Sequence, residues 1–273
     1  MNIAVHQTGL PTLSQEQNEI LDKLEEHNLV VDSVAGSGKT TTNLNIAQRF
    51  QNLNILLLTY NSKLKLETRQ RVCDLEINNL EVHSYHSFVV KYYDRQAYTD
   101  SKLRTVIANR ELPLQQFSYD LIVLDEAQDI TPLYYELVCK LFSDNLVREA
   151  RLCIVGDRNQ SIYEFQQADE RMITLAPKIF DFNRYSWNKR SLSRSFRVTS
   201  EVSEFINQCL LGENRITSTK ITGHSPRYII CDCFGEKIGT GDRFYQEVQY
   251  YLKIGYEYKD FSILAPFILS QSS

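Results

Sequence analysis

The sequence predicts an α/β fold, in which a parallel sheet is covered by helices on both faces. Two observations support this fold class. Short apolar runs alternate with amphipathic runs along most of the 273 residues. The apolar runs are continuous, as in "YDLIVLDE" and "RLCIVGD", which is typical of strands that are buried on both sides. Strands of this kind, separated by helices, form parallel sheets.

Six apolar runs are expected to be strands, and helical periodicity lies between most of them, as in "SQEQNEILDKLEEHN" and "GKTTTNLNIAQRFQ". The less patterned stretch "PKIFDFNRYSWNKRSLSR" separates the fourth strand from the fifth. We therefore place a domain boundary near Ser191, which divides the chain into residues 1–190 and 191–273. The expected strands are centred near Leu29, Ile55, Ile122, Ile154, Ile229 and Ile263.

The composition is ordinary for a globular protein, with 42% hydrophobic and 23% charged residues. The net charge of -4 argues against a protein that coats nucleic acid through bulk charge, but it does not exclude a local basic groove. The six cysteines are scattered without zinc-site spacing, and free thiols are typical of a reducing compartment. No apolar run reaches membrane length. We expect a soluble intracellular protein, in the cytoplasm or the nucleus, without a membrane partner.

The stretch "VVDSVAGSGKTTTN", residues 30–43, indicates a phosphate-binding loop between a strand and a helix. It matches the pattern G-x-x-x-x-G-K-[ST] except at the first position, which is Ser33. Glycines allow backbone N–H groups to turn towards phosphate oxygens, and a following helix directs its positive end at the same anion. A glycine turn before an ordinary helix is the alternative interpretation. The predicted nucleotide-binding residues are Ala35, Gly36, Ser37, Gly38, Lys39, Thr40 and Thr41.

Within this loop, Lys39 is expected to reach the β- and γ-phosphates of ATP, and the Thr40 hydroxyl is expected to bind Mg²⁺. An NTPase also needs a carboxylate on Mg²⁺ and a base for the attacking water. The segment "LIVLDEAQD" supplies both at the end of an apolar strand, with Asp125 on the metal and Glu126 as the base. The alternative for this acidic pair is the first turn of the next helix.

With "DEAQD" added to the phosphate loop, the sequence closely resembles the UvrD/Rep-type helicases of superfamily 1 and their eukaryotic F-box helicase relatives. The resemblance extends over about 190 residues, in the order in which the family carries its motifs. It implies a RecA-like ATP-binding domain, with the start of a second RecA-like domain after residue 190. The matching segments are "LSQEQNEIL", "AGSGKTT", "LLLTYNSKLK", "SYHSF", "LDEAQD", "VGDRNQSIYEFQQA" and "LSRSFR".

The resemblance implies further roles at the ATP site. Gln17 is similar to the family's adenine-reading glutamine, and with Ser14 it also forms a helix capping box. Gln160 resembles the residue that senses the γ-phosphate. Phe196 resembles the aromatic residue that stacks on adenine, with burial beside the hinge as its alternative. Arg197 occupies an arginine-finger position.

The resemblance also implies a site for single-stranded DNA, with RNA as a further possibility. Aromatic side chains can stack on any base, and core packing is the alternative for Tyr60, Tyr163 and Phe165. His86 is expected either to touch a phosphate or to hydrogen-bond internally. The predicted nucleic-acid contacts are Tyr60, Asn61, Lys63, His86, Tyr163 and Phe165.

Two basic clusters support a local groove for a nucleic-acid backbone. The first lies between Arg184 and Arg197, where five basic residues surround Tyr185 and Trp187 without an acidic residue, and a solvated connector is its alternative. The second follows Tyr60 and consists of Lys63, Lys65, Arg69 and Arg71.

The sequence departs from the family pattern in two larger respects. Only a short insertion, about residues 89–118, occupies the place where bacterial members carry a larger accessory domain. The family's fifth and sixth motifs do not occur, so the second RecA-like domain, residues 191–273, is expected to be truncated. We expect the isolated chain to hydrolyse ATP weakly and not to unwind duplex DNA.

The resulting interpretation is an ATP-dependent 3′-to-5′ DNA helicase, or its ATPase half, that uses ATP and Mg²⁺ to move on single-stranded DNA. Two alternatives stay open. One is a regulatory or degenerate module that binds single-stranded nucleic acid with little or no turnover. The other is a phosphate-loop NTPase without a role in nucleic-acid metabolism.

Overall fold

The chain has an α/β architecture whose centre is a six-stranded parallel sheet, which confirms the predicted fold class. The computed structural model describes residues 9–160, 169–220, 222–227 and 243–262. The chain divides into two compact units, Met1–His224 and Ser225–Ser273. The strands of the first unit are β1 Asn28–Ser33, β2 Ile55–Thr59, β3 Leu80–Ser84, β4 Leu121–Asp125, β5 Arg151–Gly156, β6 Trp187–Leu192, β7 Arg194–Thr199 and β8 Thr217–Lys220.

Helices connect the strands, and several begin at a side-chain cap that the sequence supplies, such as Ser14, Asn61 and Thr131. In the described ranges, no helix has both the length and the apolar character needed to cross a membrane. The helices of the first unit are α1 Gln15–Leu24, α2 Lys39–Arg49, α3 Ser62–Asp74, α4 Tyr85–Tyr92, α5 Asp100–Ala108, α6 Pro132–Asp144, α7 Arg171–Thr174, α8 Ala176–Ile179, α9 Ser200–Phe205 and a π-helical segment Ile206–Leu211. The described part of the second unit contains α10 Arg243–Lys253 and a 3₁₀ turn Tyr258–Asp260.

The strand order of the large sheet is β3-β2-β4-β5-β1-β6. Apolar clusters cover both of its faces, and successive residues of one strand enter different clusters. In β2, Leu56 and Leu58 belong to the cluster that contains Phe88, whereas Ile55 and Leu57 belong to the cluster on the other face. Burial on both sides is the reason why the central strands are continuously apolar.

The carboxyl ends of β1, β4 and β5 lie at one edge of the sheet because the strands are parallel and adjacent. Asp32 at the end of β1 is in register with Gly156 at the end of β5. The loops that leave these three strands are therefore neighbours in space, although more than a hundred residues separate the first from the last. Crevices at this edge are the usual binding sites of α/β proteins.

Sequence analysis missed two strands of the large sheet. The first is β3, which pairs with β2, and the second is the edge strand β6, which pairs with β1. The stretch that contains β6 was expected to be a connector, and its side chains are largely polar because an edge strand has one neighbour and faces solvent. Ser191, the predicted domain boundary, lies within β6.

The domain limits 1–190 and 191–273 stay a prediction, as does the short insertion at about 89–118, which contains α5. After β6, the chain enters a two-stranded parallel sheet of β7 and β8. The strands expected near Ile229 and Ile263 lie outside the described residues.

Candidate nucleotide-binding site

The loop between β1 and α2 has the backbone shape of a phosphate cradle. Gly36 and Gly38 have φ angles of 71° and 87°, in the left-handed region where residues with a side chain are strained. A Cβ atom at Gly36 would lie 2.4 Å from the Cβ atom of Arg197. Glycine is therefore required at Gly36 for two reasons, and α2 begins directly after the loop, at Lys39.

The departure from the loop pattern at Ser33 has a structural explanation. The Ser33 side chain is buried, and its Oγ donates a hydrogen bond of 2.7 Å to the carbonyl oxygen of Gly156 at the end of β5. This bond joins the beginning of the phosphate loop to the strand that carries the predicted γ-phosphate sensor. The serine therefore adds a contact instead of disturbing the loop.

The carboxylate of Asp125 lies buried at the end of β4. Its Oδ2 accepts a hydrogen bond of 3.1 Å from Asn43 Nδ2 in α2, and its Oδ1 accepts one of 3.0 Å from the backbone N–H of Glu126. Burial, followed by the negative charge of Glu126, raises the pKa of Asp125 to about 7. The positive charge of Lys39 and the two hydrogen bonds act in the opposite direction on the pKa of Asp125, but they do not outweigh burial and the charge of Glu126.

Glu126 has the left-handed backbone angles φ 52° and ψ 48°, which is unfavourable for a residue with a long side chain. Local strain of this kind is concentrated at functional sites. The Glu126 Oε2 atom lies 3.2 Å from Lys39 Nζ, and it accepts a hydrogen bond of 2.9 Å from Gln128 Nε2. The predicted base is thus oriented by the phosphate-loop lysine on one side and by Gln128 on the other.

A pocket of about 440 Å³ is lined by the phosphate loop and by Glu126, which follows β4. It brings together predicted residues from four separate segments, and it adds Leu64 and Arg71 of α3, which were not predicted to bind nucleotide. A larger groove of about 540 Å³ near the end of α2 has no lysine or arginine in its lining, so it is a poor phosphate site. The residues that line the 440 Å³ pocket are Ala35, Gly36, Ser37, Gly38, Lys39, Thr40, Thr41, Leu64, Arg71, Glu126, Gln160, Phe196 and Arg197.

The beginning of β7 is attached to the phosphate loop. The backbone N–H of Phe196 donates a hydrogen bond of 2.9 Å to the Gly36 carbonyl, and Ser195 Oγ donates one of 2.8 Å to the Ala35 carbonyl. The Phe196 side chain is 48% exposed, so it is available for stacking and is not the buried hinge residue of the alternative interpretation. Arg197 follows it at the rim of the pocket.

Gln17 does not line the pocket, and its amide is used inside the protein. Its Nε2 donates to Thr42 Oγ1 at 3.0 Å, and its Oε1 accepts from the Ser14 backbone N–H at 2.9 Å. The predicted capping box of Ser14 and Gln17 is therefore confirmed. Because Gln17 packs against Gly38, it supports the phosphate loop, and its adenine-reading role stays a prediction.

The residues at the predicted magnesium site fit a metal bound together with a phosphate group. The described residues contain no cluster of three or more His, Cys, Asp or Glu side chains that could form an independent metal site. Thr40 and Asp125 are instead one hydroxyl and one carboxylate, which is typical of Mg²⁺ held jointly with substrate phosphates. In the same part of the described chain, Ser37 Oγ and Asn43 Oδ1 are buried without a hydrogen-bond partner. Polar atoms of this kind suit a ligand-binding loop.

A family model described as an AAA domain matches residues 17–166, which is more than half of the chain. The chain belongs to this AAA domain family. Its match contains the phosphate loop, both acidic residues and Gln160.

Curated relatives confirm the resemblance to the UvrD/Rep-type helicases. This chain is 36% identical over 107 residues to F-box DNA helicase protein 1 of Schizosaccharomyces pombe. The match covers 38% of this chain and 11% of the relative. It is 28% identical over 149 residues to a probable DNA helicase II homolog of Mycoplasma genitalium, with coverages of 50% and 20%. It is 30% identical over 109 residues to the ATP-dependent DNA helicase UvrD2 of Mycobacterium tuberculosis, with coverages of 39% and 14%. The matches thus span between 11% and 20% of these relatives' lengths.

Solved structures of similar fold include Pif1 helicases. Bacteroides Pif1 bound to ssDNA has 15% sequence identity and a TM-score of 0.43, and the match covers 76% of this chain and 47% of that chain. Pif1 helicase from Candida albicans has 15% identity and a TM-score of 0.41, with coverages of 66% and 40%.

Two of the predicted nucleic-acid residues of this AAA domain contact other parts of the same domain. Tyr60 packs against the core, with its ring 5.9 Å from the Tyr134 ring in an edge-to-face arrangement. His86 Nε2 lies 3.0 Å from Asp100 Oδ1 at the start of α5. The packing of Tyr60 agrees with its structural alternative, whereas the His86–Asp100 contact is an ion-pair distance without hydrogen-bond geometry. The roles of Tyr60 and His86 in nucleic-acid binding stay predictions.

Asn61 and Lys63 are both exposed, but their side chains differ in role. The Asn61 side chain caps α3, and its Oδ1 accepts hydrogen bonds from the backbone N–H groups of Lys63 and Leu64. The Lys63 side chain is 85% exposed and lies 3.9 Å from Glu67. Lys63 is therefore accessible to a phosphate. Tyr163 and Phe165 lie outside the described residues.

The second basic cluster is divided between two functions. Arg69 is used internally, because its Nε donates to the Val82 carbonyl at 2.6 Å and its Nη2 contacts His83 Nδ1 at 3.1 Å. Arg71 lines the nucleotide pocket, together with Leu64. Leu64 and Arg71 are seven residues apart and thus share one face of α3, but this spacing alone does not indicate that the face points to a pocket.

The aromatic residues of the first basic cluster also have structural contacts. Trp187 packs against the core, and the Arg151 guanidinium lies 5.9 Å from the centre of the Tyr185 ring. Arg184 is exposed and lies 3.8 Å from Glu149. A nucleic-acid surface between Arg184 and Arg197 stays a prediction for the basic side chains only.

Proposed function

We propose that this chain is the ATP-hydrolysing part of a UvrD/Rep-type DNA helicase, which couples ATP turnover to movement on single-stranded DNA. The observation that supports this proposal is the pocket in which the phosphate loop, Glu126, Gln160 and Arg197 meet. The family match and the helicase relatives agree with it. The 3′-to-5′ direction is proposed from the resemblance of the "QSIY" segment to the UvrD/Rep branch.

Nucleotide binding is assigned to the loop and to the N-terminus of α2. The backbone N–H groups around Gly36 and Gly38 can donate to phosphate oxygens, and the positive end of α2 adds to their effect. Lys39 contributes a full positive charge at the same place. When Mg²⁺ is bound with the nucleotide, it neutralises phosphate charge, and Thr40 and Asp125 are the residues that would hold it.

Glu126 is assigned the role of general base for the attacking water. Gln128 holds the carboxylate of Glu126 through a hydrogen bond to Oε2, and this contact stays available when Lys39 turns to the phosphates. Arg197 and Arg71 lie in the same pocket, and their guanidinium groups can stabilise the charge that develops on the γ-phosphate. Gln160 lines the same pocket, and the proposed DNA contacts Tyr163 and Phe165 follow it in the sequence.

The decisive experiment is steady-state ATP hydrolysis by the purified 273-residue chain, with and without oligo(dT). We expect Mg²⁺-dependent hydrolysis that single-stranded DNA accelerates and that Lys39→Ala abolishes. Hydrolysis that is indifferent to DNA favours a phosphate-loop NTPase without a nucleic-acid role. Salt-sensitive binding of oligo(dT) without any hydrolysis favours the regulatory or degenerate module.

A further inference from the structure

Arg215 is a buried arginine that joins the carboxyl ends of two neighbouring strands. Its side chain is only 9% exposed. Its Nη1 donates to Asp157 Oδ1 at 2.7 Å, at the end of β5, and its Nη2 donates to Asp32 Oδ1 at 2.6 Å, in β1. The same Nη2 lies 3.3 Å from the Ser33 carbonyl oxygen. The guanidinium group thus contacts the residues at which two loops begin, the phosphate loop and the loop that carries Gln160.

Asp157 connects this arginine to the predicted catalytic base. The backbone N–H of Asp157 donates a hydrogen bond of 3.0 Å to Gln128 Oε1, and Gln128 Nε2 donates one of 2.9 Å to Glu126 Oε2. A chain of direct contacts therefore leads from Arg215 through Asp157 and Gln128 to Glu126.

Asp157 also shapes the loop that carries Gln160. Its carbonyl oxygen accepts a hydrogen bond of 3.0 Å from the Gln160 backbone N–H, and its Oδ1 accepts one of 3.1 Å from the Asn159 backbone N–H. Because Oδ1 is also the atom that receives Arg215 Nη1, the arginine and the loop share one carboxylate oxygen. A shift of Asp157 would move Gln160 and the support of Glu126 together.

Arg215 is itself fixed by the segment that precedes β8. Asn207 is buried, and its Oδ1 accepts hydrogen bonds from the backbone N–H groups of Arg215 and Ile216. Its Nδ2 donates to the Ile216 carbonyl at 2.9 Å. The guanidinium therefore belongs to the polypeptide after β7, whereas both of its carboxylate partners belong to the large sheet.

A second arginine in the same region differs from Arg215. Arg158 contacts Glu213 at 2.7 Å and Asp32 at 3.6 Å, but its side chain is 37% exposed, so solvent screens these contacts. Neither of its two contacts involves Asp157. Burial and the two-sided fork thus distinguish Arg215.

We propose that Arg215 is a positioning residue that holds Gln160 and the base Glu126 in their productive arrangement, and that it couples this arrangement to the segment after β7. The inference rests on the proposed ATPase function. Arg215 does not line the nucleotide pocket, so its effect is transmitted through Asp157 and Gln128. The phosphate loop has further hydrogen bonds, Ser33 Oγ to the Gly156 carbonyl and Ser195 Oγ to the Ala35 carbonyl, in which the Arg215 side chain takes no part.

The test compares Arg215→Met and Arg215→Lys with the wild-type chain, and with Arg49→Met as a matched loss of an exposed, ion-paired arginine far from the pocket. We expect Arg215→Met to lower kcat by about 10- to 100-fold, the scale of a misplacement near 1 Å, while the KM for ATP changes less than threefold. Lysine restores the charge but not the fork, so Arg215→Lys should have an intermediate kcat. Arg49→Met should match the wild type in both parameters.

A double variant separates positioning from folding. Arg215→Met leaves two carboxylates without their shared partner, Asp157, which is buried, and Asp32, which is partly exposed and keeps Arg158 nearby. Asp157→Asn combined with Arg215→Met removes the arginine together with the buried one of these two carboxylates. We expect the double variant to recover the unfolding midpoint without recovering kcat. Recovery of both would assign Arg215 a purely structural role and would overturn the proposal.

Hydrogen exchange provides a readout that is independent of turnover. The Asn159 and Gln160 amides should exchange at least tenfold faster in Arg215→Met than in the wild type or in Arg49→Met. A folded Arg215→Met chain with wild-type kcat and wild-type exchange contradicts the inference alone. A wild-type chain without ATPase activity contradicts the proposed function instead, even where the exchange of the two amides responds to Arg215.

Discussion

Two carboxylates of the large sheet, Asp125 and Glu81, are both surrounded by protein but have opposite electrostatic environments. Asp125 ends β4 beside the phosphate loop, and Glu81 lies in β3 at the other side of the sheet. Burial and a neighbouring negative charge raise the pKa of Asp125 to about 7. The pKa of Glu81 lies below its usual range, because hydrogen-bond donors outweigh the effect of burial.

The Glu81 carboxylate is fully occupied by donors of the protein. Its Oε2 accepts hydrogen bonds from the hydroxyl groups of Tyr92, at 2.9 Å, and Tyr119, at 2.7 Å. Its Oε1 contacts Lys91 Nζ and His83 Nε2. This carboxylate fixes β3 to α4 and to Tyr119, two residues before β4, and both of its oxygens have donors within the protein.

The Asp125 carboxylate has fewer donors from the protein than the Glu81 carboxylate. Asp125 receives two hydrogen bonds, and nearby Ser37 Oγ and Asn43 Oδ1 are buried without a partner among the described residues. Glu126 adds backbone strain in the left-handed region. The difference is between a carboxylate whose protein donors outweigh its burial and one whose burial they only partly offset, and perturbed carboxylates of the second kind are concentrated at functional sites.

The largest expected effect concerns Glu126 and Lys39, in the nucleotide pocket beside Asp125. Glu126→Gln should keep ATP binding but lower kcat by about 10²-fold or more, because the positioned base is lost while the pocket is retained. Lys39→Ala should abolish both binding and turnover, because the phosphate charge lacks its lysine partner. Steady-state hydrolysis and binding of a fluorescent ATP analogue measure the two steps. Wild-type kcat in Glu126→Gln would remove Glu126 from the mechanism.

Arg69 and Arg71 of α3 allow a second comparison, between an arginine that bonds inside the protein and one that lines the nucleotide pocket. Arg71→Ala should weaken ATP binding by about tenfold or more, the scale of a hydrogen bond to a charged group, with little change in the unfolding midpoint. Arg69→Ala should lower stability and leave ATP affinity unchanged, because Arg69 bonds Val82 and His83 and does not line the pocket. Titration with the ATP analogue and thermal unfolding distinguish the two outcomes. An equal loss of affinity in both variants would indicate a general disturbance of α3.

The sequence predicted the parts of the molecule that depend on local patterns. The phosphate loop, the strand ending at Asp125 and the capping box of Gln17 each require residues that are close together in the chain. Two strands were missed because pairing decides them: β6 becomes a strand through its contacts with β1, more than 150 residues away. Polar edge strands lack the apolar run by which a buried strand is recognised.

Long-range side-chain contacts were not predictable for the same reason. Arg215 and Asp32 are 183 residues apart, and no periodicity connects them. Arg71 was grouped with its basic neighbours because charge clusters carry no information about which face of a helix points to a pocket. Local sequence therefore specified the chemical groups of the candidate site, whereas tertiary packing specified which groups meet.

Charge removal should affect stability with opposite sign at the two carboxylates. In metal-free and nucleotide-free buffer, Asp125→Asn should stabilise the chain by about 0.5–2 kcal/mol, because it removes an insufficiently compensated buried charge. The Asn43 amide can rotate so that its unpartnered Oδ1 accepts from the new amide. Glu81→Gln should destabilise the chain by about 1–3 kcal/mol, because tyrosine and lysine donors lose their acceptor. Urea unfolding at pH 7.5 measures both, and destabilisation by Asp125→Asn would contradict the comparison.

Acid should weaken the Glu81 contacts selectively. The folded-state pKa of Glu81 is lower than that of an unfolded glutamate, about 4.3, so the unfolded chain binds the proton first as the pH falls. The stabilisation by Glu81 is therefore complete above about pH 4.3 and is lost progressively below it. The free energy of unfolding should fall less steeply between pH 5 and pH 3.5 in Glu81→Gln than in the wild type. Parallel curves would show that Glu81 does not have a lowered pKa.

The smallest expected effect concerns Lys63, which is the most accessible of the described nucleic-acid candidates. An exposed lysine that neutralises one phosphate contributes about 0.7 to the salt dependence of binding to a single strand. Lys63→Ala should therefore reduce the slope of log affinity against log salt by about 0.7 and weaken oligo(dT) binding equally for all sequences. Fluorescence anisotropy with labelled oligonucleotides at several salt concentrations measures the slope.

Glu67→Ala provides the matched control, because Glu67 is the exposed partner of Lys63 and its removal leaves the lysine in place. We expect Glu67→Ala to keep the wild-type slope and to bind slightly more tightly, since one negative charge leaves the surface. If Lys63→Ala and Glu67→Ala have the same slope as the wild type, the DNA strand does not pass the start of α3. The basic residues between Arg184 and Arg197 would then be the next to test, beginning with Arg184, because its side chain is 95% exposed.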